Sequence, residues 1–188
     1  MKADLEDIPQ SFYSFETKEP FSHCIECKKE LDEQTDYIIE KAMRRYPNFS
    51  ATDTLFDYAM CMDCALEMRK SLSVSSRKKM DEFFQPYFQK ISVAMHSAHT
   101  QSVEEQLSKC LITEKDIRTV KEYQIYAVCR GKKINRSVPA YMISEEAIEQ
   151  ILPLLSNETT DFLNGFFERH FNPDPSMLEP IGPKLILV

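Results

Sequence analysis

Four cysteines in two CxxC pairs, Cys24 and Cys27 in "HCIEC" and Cys61 and Cys64 in "MCMDC", are the residues of this chain best suited to chemistry. A CxxC pair on a tight turn brings two sulfurs to one point, and two such pairs supply the four soft ligands that tetrahedral Zn²⁺ prefers. Four thiolates close the coordination sphere and leave no position for water, so the site expected here is structural. The competing chemistry is thiol–disulfide exchange at Cys61-Met-Asp-Cys64, where a helix begins. That reading gives the Cys24/Cys27 pair no role. His23 adjoins a ligand and is expected outside the sphere. The expected site is therefore Cys24, Cys27, Cys61 and Cys64 around one Zn²⁺ per chain, with no catalytic residue.

The flanking sequence says what must position these ligands. After Cys27, "KKELDEQTDYIIEKAM" passes from a polar turn into a strand-like run at Tyr37–Met43, and "TLFDYAM" (54–60) reads as a second strand. "RRYPNFSATD" between them has turn chemistry. "CMDCALEMRKSL" then reads as a helix, with Ala65, Met68 and Leu72 on one face. Its N-terminus favours the negative charge of Cys61 and Cys64. The order of knuckle, hairpin, then ligands in the first helical turn resembles a treble-clef zinc finger over about residues 20–72.

"KCLITEK" (109–115) looks like half a knuckle, with Thr113 where a second cysteine would stand. Residues 21–45 align with 107–131 at an offset of 86, with six of 25 positions identical. Residues 58–88 align with 141–171 at an offset of 83, and the three-residue shift falls in the hairpin loop. Cys110, Thr113, Ser144 and Ala147 then occupy the positions of the four cysteines. This pattern reads as an internal repeat whose second copy, at about 107–171, has lost its metal. "EYQIYAVC" and "SVPAYMI" are expected to pair as a hairpin. "SEEAIEQILPLL" is expected to pack on it as a helix capped by Ser144, with Ile151, Leu152 and Leu155 buried. Cys110 and Cys129 are expected as buried thiols. Each copy ends in a second helix behind a serine-rich cap, "SVSSRKKMDEFFQPYFQ" and "SNETTDFLNGFFERHF", with a Met/Leu/Phe stripe for packing.

The expected fold class is α+β: two tandem treble-clef-like units (knuckle, β-hairpin, two helices), the first zinc-bound and the second without metal. The expected divisions are 1–98, an N-terminal extension plus the zinc unit; 99–172, the metal-free unit; and 173–188, a Pro-rich tail ending in "KLILV", expected to dock internally on a sheet edge or groove, with strand addition to a partner as the alternative. His96 and His99 fall on the joining segment and are expected to be solvated. Lys41, Arg44 and Arg45, and Arg130, Lys132, Lys133 and Arg136, gather near the two hairpin tips, where phosphate contacts are conceivable.

Bulk properties bound the function. The net charge is −7, and both parts are acidic, with 13 Lys/Arg against 17 Asp/Glu in 1–98 and 10 against 13 in 99–188. Broad electrostatic capture of nucleic acid is disfavoured by that balance. Only three glycines are present, and no glycine-rich phosphate loop occurs. No apolar run approaches membrane length, and "MKADLEDIPQ" lacks the apolar core of a signal peptide. The expectation is a cytoplasmic, non-enzymatic, zinc-binding interaction or adaptor protein whose partner is another protein. The alternatives are a nucleic-acid binder using the basic hairpin tips and a CxxC redox protein.

Overall fold

The computed structural model describes residues 4–46, 49, 51–97 and 101–171, and for 88, 89 and 91–97 the backbone alone. The strand expected at 37–43 runs from Asp36 to Tyr46 (β2), and its partner expected at 54–60 runs from Ala51 to Cys61 (β3). The ladder continues through Arg44↔Asp53, Arg45↔Thr52 and Tyr46↔Ala51, past a register shift at Ala42/Met43. Cross-strand polar pairs sustain it there, and these give no hydrophobic periodicity to read. Of the 44–53 segment expected as a turn, residues 44–46 and 51–53 are therefore strand.

Cys61 ends β3 and caps α1 (Met62–Ser71), and α2 follows at Val74–Ser97. After α3 (Val103–Leu107) come β4 (Glu122–Arg130), β5 (Lys133–Asn135) and β6 (Tyr141–Ser144), then α4 (Glu145–Ile151) and α5 (Asn157–Phe171). An N-terminal strand, β1 (Leu5–Asp7), pairs with β5. The described residues form a mixed α+β fold with one antiparallel sheet, ordered β1-β5-β4-β2-β3, and β6 also on β4. The boundary expected near residue 98 therefore falls between elements of a continuous sheet. The β4–β6 hairpin is present, whereas β1 and β5 were not expected. Three-residue strands carry too few positions to show a period. The tail 173–188 and His99 lie outside the described residues; His96 lies on the α2 backbone, its side chain outside them.

Strand β2 is central and buried on both faces from Ile39 to Ala42. On one face, Phe56 and Tyr58 of β3 meet Phe166, Phe167 and Phe171 of α5, with ring centroids 5.3–6.1 Å apart. On the other face, the N-terminal segment reaches the sheet through the Tyr13 carbonyl, which accepts a hydrogen bond from Lys41 Nζ.

The β2–β4 pairing is reciprocal under the 86-residue offset. Glu40 opposes Tyr126, its own counterpart, while Tyr37 opposes Cys129 and Met43 opposes Tyr123. Arg44 bonds Glu122 at 2.7 Å, and the counterpart pair, Arg130 with Asp36, bonds at 2.6 Å. The helix caps exchange contacts in the same way. Ser73 N–H donates to Thr159 Oγ1 at 3.0 Å, and Ser156 N–H donates to Ser76 Oγ at 2.8 Å. Each of these hydroxyls satisfies an amide that helix geometry leaves unpaired at the start of α2 or α5.

One glycine is demanded by the β4–β5 turn. Gly131 has φ +54°, a Cβ there would lie 2.8 Å from Glu33 Cα, and its carbonyl accepts from the buried Tyr37 hydroxyl at 2.6 Å. Left-handed backbone costs an L-residue about 1–2 kcal/mol before any clash. Gly131→Ala is expected to destabilise by about 3 kcal/mol in urea unfolding, the excess over that cost being the backbone collision.

Candidate metal centre

The first knuckle is built by backbone hydrogen bonds. Cys24 N–H donates to Lys29 O at 2.9 Å and Lys28 N–H to Cys24 O at 3.0 Å, with Lys28 at φ +60°. Ile25 N–H donates to Ala59 O at 2.8 Å and fixes the knuckle to β3 two residues before Cys61. Cys61 N–H points at Cys24 Sγ from 3.4 Å. α1 begins immediately, which puts Cys64 in its first turn.

These elements bring the four expected ligands together. The sulfurs of Cys24, Cys27, Cys61 and Cys64 all lie within 4.8 Å of one another, and Cys27 Sγ is 3.7 Å from Cys61 Sγ. A Zn–S distance of about 2.3 Å places tetrahedral sulfurs about 3.8 Å apart, so the cluster fits a single four-coordinate ion. His23 is not part of the cluster; its Nδ1 lies 2.9 Å from Ser22 Oγ at the surface. The Lys29 backbone amide beside Cys27 lowers its thiol to about 7, against a smaller opposing effect of burial. Burial pushes the Cys61 and Cys64 thiols up instead. A four-thiolate state is therefore costly without a cation at its centre.

The knuckle is also tied to the last described helix. Glu26, between the two knuckle ligands, accepts from His170 Nε2 at 2.7 Å and faces Arg169 at 3.5 Å. α5 thus bridges the cysteine cluster and the aromatic face of β3.

The residues of the incomplete knuckle repeat this geometry bond for bond. Cys110 N–H donates to Lys115 O at 2.8 Å, Glu114 N–H donates to Cys110 O at 2.9 Å, and Glu114 has φ +58°. Leu111 N–H donates to Met142 O at 2.8 Å, as Ile25 does to Ala59. Where the first knuckle has clustered sulfurs, this one has Thr113 Oγ1 3.2 Å from Ser144 Oγ, and Ser144 N–H and Oγ at 3.3 and 3.4 Å from Cys110 Sγ. Burial raises the Cys110 thiol, but donors from Ser144 and Thr113 outweigh it and hold the thiol below its ordinary range. Cys129 is fully buried, and desolvation pushes it up to about 12. Ile151 is buried as expected, but Leu152 and Leu155 are only partly so. Closure of this unit therefore owes more to the hydroxyl–thiol cluster than the apolar pattern indicates.

A third turn of the same kind was not expected. Ser14 N–H donates to Glu19 O, Lys18 N–H donates to Ser14 O, both at 2.9 Å, and Lys18 has φ +60°. Thr17 N–H donates to Ser14 Oγ at 3.4 Å, as Thr113 N–H does to Cys110 Sγ. The available signal was Glu16 and Lys18 in "SFETKE", matching Glu26 and Lys28 in "CIECKK"; without cysteines it was too weak to stand out.

Apart from the exposed Lys132, the expected basic residues of the hairpin tips are engaged. Arg44, Arg130, Lys133, Arg136 and Lys41 form ion pairs with Glu122, Asp36, Asp7, Glu6 and Asp57. Arg45 donates to the Ile117 carbonyl. Among the described residues, no helix is long and apolar enough to cross a membrane. No protein-family model, curated protein or solved structure matches the chain.

Proposed function

We propose that this is a non-enzymatic, cytoplasmic zinc-binding adaptor, built from two tandem treble-clef-like units and serving protein partners. One structural Zn²⁺ is held by Cys24, Cys27, Cys61 and Cys64. The second unit is closed by Cys110, Thr113 and Ser144 without metal. The observation that carries the reading is the four-sulfur cluster with tetrahedral spacing, a donor set that leaves no position for substrate or water. The reciprocal β2–β4 register and the duplicated knuckle hydrogen bonds support the tandem arrangement. The ion-paired state of the basic hairpin residues speaks against nucleic acid as the partner.

Metal analysis with thiol counting on chelator-free protein tests the reading. Cys110 and Cys129 are 1% and 0% exposed, so both are expected to be inert in the native state. The expected result is one zinc per chain, four thiols released on metal removal, and two more on denaturation. Metal-free protein with a reversible Cys61–Cys64 disulfide would replace this reading with a redox one. The tandem arrangement has its own test. The triple substitution Thr113→Cys, Ser144→Cys, Ala147→Cys is expected to raise zinc content from one to two per chain. A cage of different shape would leave it at one.

A further inference from the structure

We propose that the cavity over Lys41 is a binding site for the oxyanion group, carboxylate or phosphoryl, of a small ligand. The cavity, of about 460 Å³, lies between the Ser14–Glu19 turn and the β2–β3 hairpin. Lys41 forms its floor and is only 5% exposed. Its ammonium has three donors. One goes to the Tyr13 carbonyl at 2.5 Å, and Asp57 Oδ2 stands at 3.4 Å. That carboxylate oxygen also accepts the Phe15 amide at 2.6 Å, so it is shared between two donors. Lys18 forms part of the rim. It is exposed, has a left-handed backbone, and its ammonium lies over the Phe15 ring, 3.7 Å from the centroid. Ser11, Ser14, Thr52 and Thr54 add hydroxyls to the lining. Thr54 Oγ1 has Met43 sulfur as its acceptor, at 3.6 Å, which is weaker than an oxyanion.

The wall chemistry is selective. None of the ten lining residues is acidic, in a chain with 30 Asp/Glu against 23 Lys/Arg. The cavity beside α3 has Glu105 in its wall, and the one beside Cys64 has Glu26 and Glu67. Two ammonium groups line the cavity, and the one carboxylate that faces Lys41 is shared with the Phe15 amide. Burial lowers the affinity of Lys41 for its proton, Asp57 opposes it, and the charge of Lys18 adds a smaller lowering effect. A bound oxyanion relieves that repulsion and receives charge-assisted hydrogen bonds from both lysines. Tyr13, Phe15 and Met43 supply apolar surface for the body of the ligand.

The test is a titration of the ¹⁵N-labelled, metal-loaded full chain with inorganic phosphate and, separately, acetate at constant ionic strength. Lys18→Met is the variant of choice because Lys18 is exposed and its loss leaves the fold intact. Replacing Lys41 would strand Asp57 in the interior. The expected result is a saturable, millimolar shift of the Lys18, Thr52 and Thr54 amide signals with at least one probe, weakened about tenfold in Lys18→Met. A response to phosphate alone or to acetate alone identifies the head group. No shift at these residues with either probe, or equal affinity in wild type and Lys18→Met, overturns the proposal.

Discussion

Cys61→Ser is expected to abolish metal binding and to remove more stability than any single substitution in the apolar core. Cys61 ends β3, caps α1 and lies 3.7 Å from Cys27 Sγ, so its loss breaks the site at the junction of sheet and helix. A hydroxyl there cannot replace a soft thiolate ligand, and only the sulfurs of Cys24, Cys27 and Cys64 would remain around a weakened centre. Apparent binding energies for structural zinc reach about 10 kcal/mol, and losing a metal is among the few mechanisms that exceed about 4 kcal/mol in one step. The surrounding sheet retains its other packing, so the expected loss is about 4–6 kcal/mol. The effect should extend beyond the site. With the knuckle loosened, Glu26 no longer holds His170, and α5 loses an anchor over Phe56 and Tyr58. Urea unfolding with metal analysis gives the stability term, and near-ultraviolet dichroism reports the aromatic face. Chelation of the wild type should reproduce both changes. Cys110→Ser, in the unit read as metal-free, should leave metal content unchanged and cost at most about 2 kcal/mol, the scale of a buried hydrogen-bond rearrangement. Equal effects of the two substitutions would remove the distinction between the units.

How far the sequence exposes this arrangement depends on the kind of signal each part carries. The cysteine site was legible because its ligands are rare residues at a restricted spacing. The incomplete knuckle was legible through Cys110, Lys115, Tyr123 and the aromatic spacing of the final helix. The lengths of β2 and β3 were not, because Arg44, Arg45, Thr52 and Asp53 extend the ladder with polar side chains. Nor was β1, whose three residues pair with β5 across more than 120 positions of chain. Lys41 shows the limit most clearly. Beside Arg44 and Arg45 it reads as part of a solvated basic turn, yet strand alternation sends it into the protein, under the Tyr13 carbonyl. Orientation of that kind follows from register, here Lys41 opposite Asp57, and the register changes just after it at Ala42/Met43, which no local residue pattern announces.

The same register buries a carboxyl group at the centre of the sheet, and with it comes the second large effect: stability should fall as pH rises from about 4.5 to 8. Glu40 is 0% exposed and lies on the strand pair's reciprocal point, opposite Tyr126. Oε2 accepts from Tyr58 at 2.5 Å, while Oε1 has no hydrogen-bond partner among the described residues. Tyr126, the neighbour on β4, donates instead to Gln124 at 2.6 Å, and Tyr141 stacks on Tyr126. Among the described residues, no cation contributes to the Glu40 shift. Burial raises the Glu40 carboxyl to about 8 from an ordinary 4.5, a shift the hydrogen bond from Tyr58 only partly opposes. The folded protein therefore keeps this proton at neutral pH, whereas the unfolded chain releases it above about 4.5. Unfolding then releases a proton, and linkage makes the folded state less stable with each step in pH until the folded group also ionises near 8. At 1.36 kcal/mol per tenfold change in proton affinity, the full swing is about 4–5 kcal/mol. Glu40→Gln removes it. The amide still accepts from Tyr58 but leaves buried N–H donors unpaired, at about 1–3 kcal/mol. The variant should be the weaker protein at about pH 4.5 and the stronger one at about pH 9, with the two stability curves crossing at about pH 5–7. Urea unfolding of metal-saturated protein across that range measures both. Parallel curves would mean that water or a rearranged tyrosine stabilises the carboxylate inside the fold.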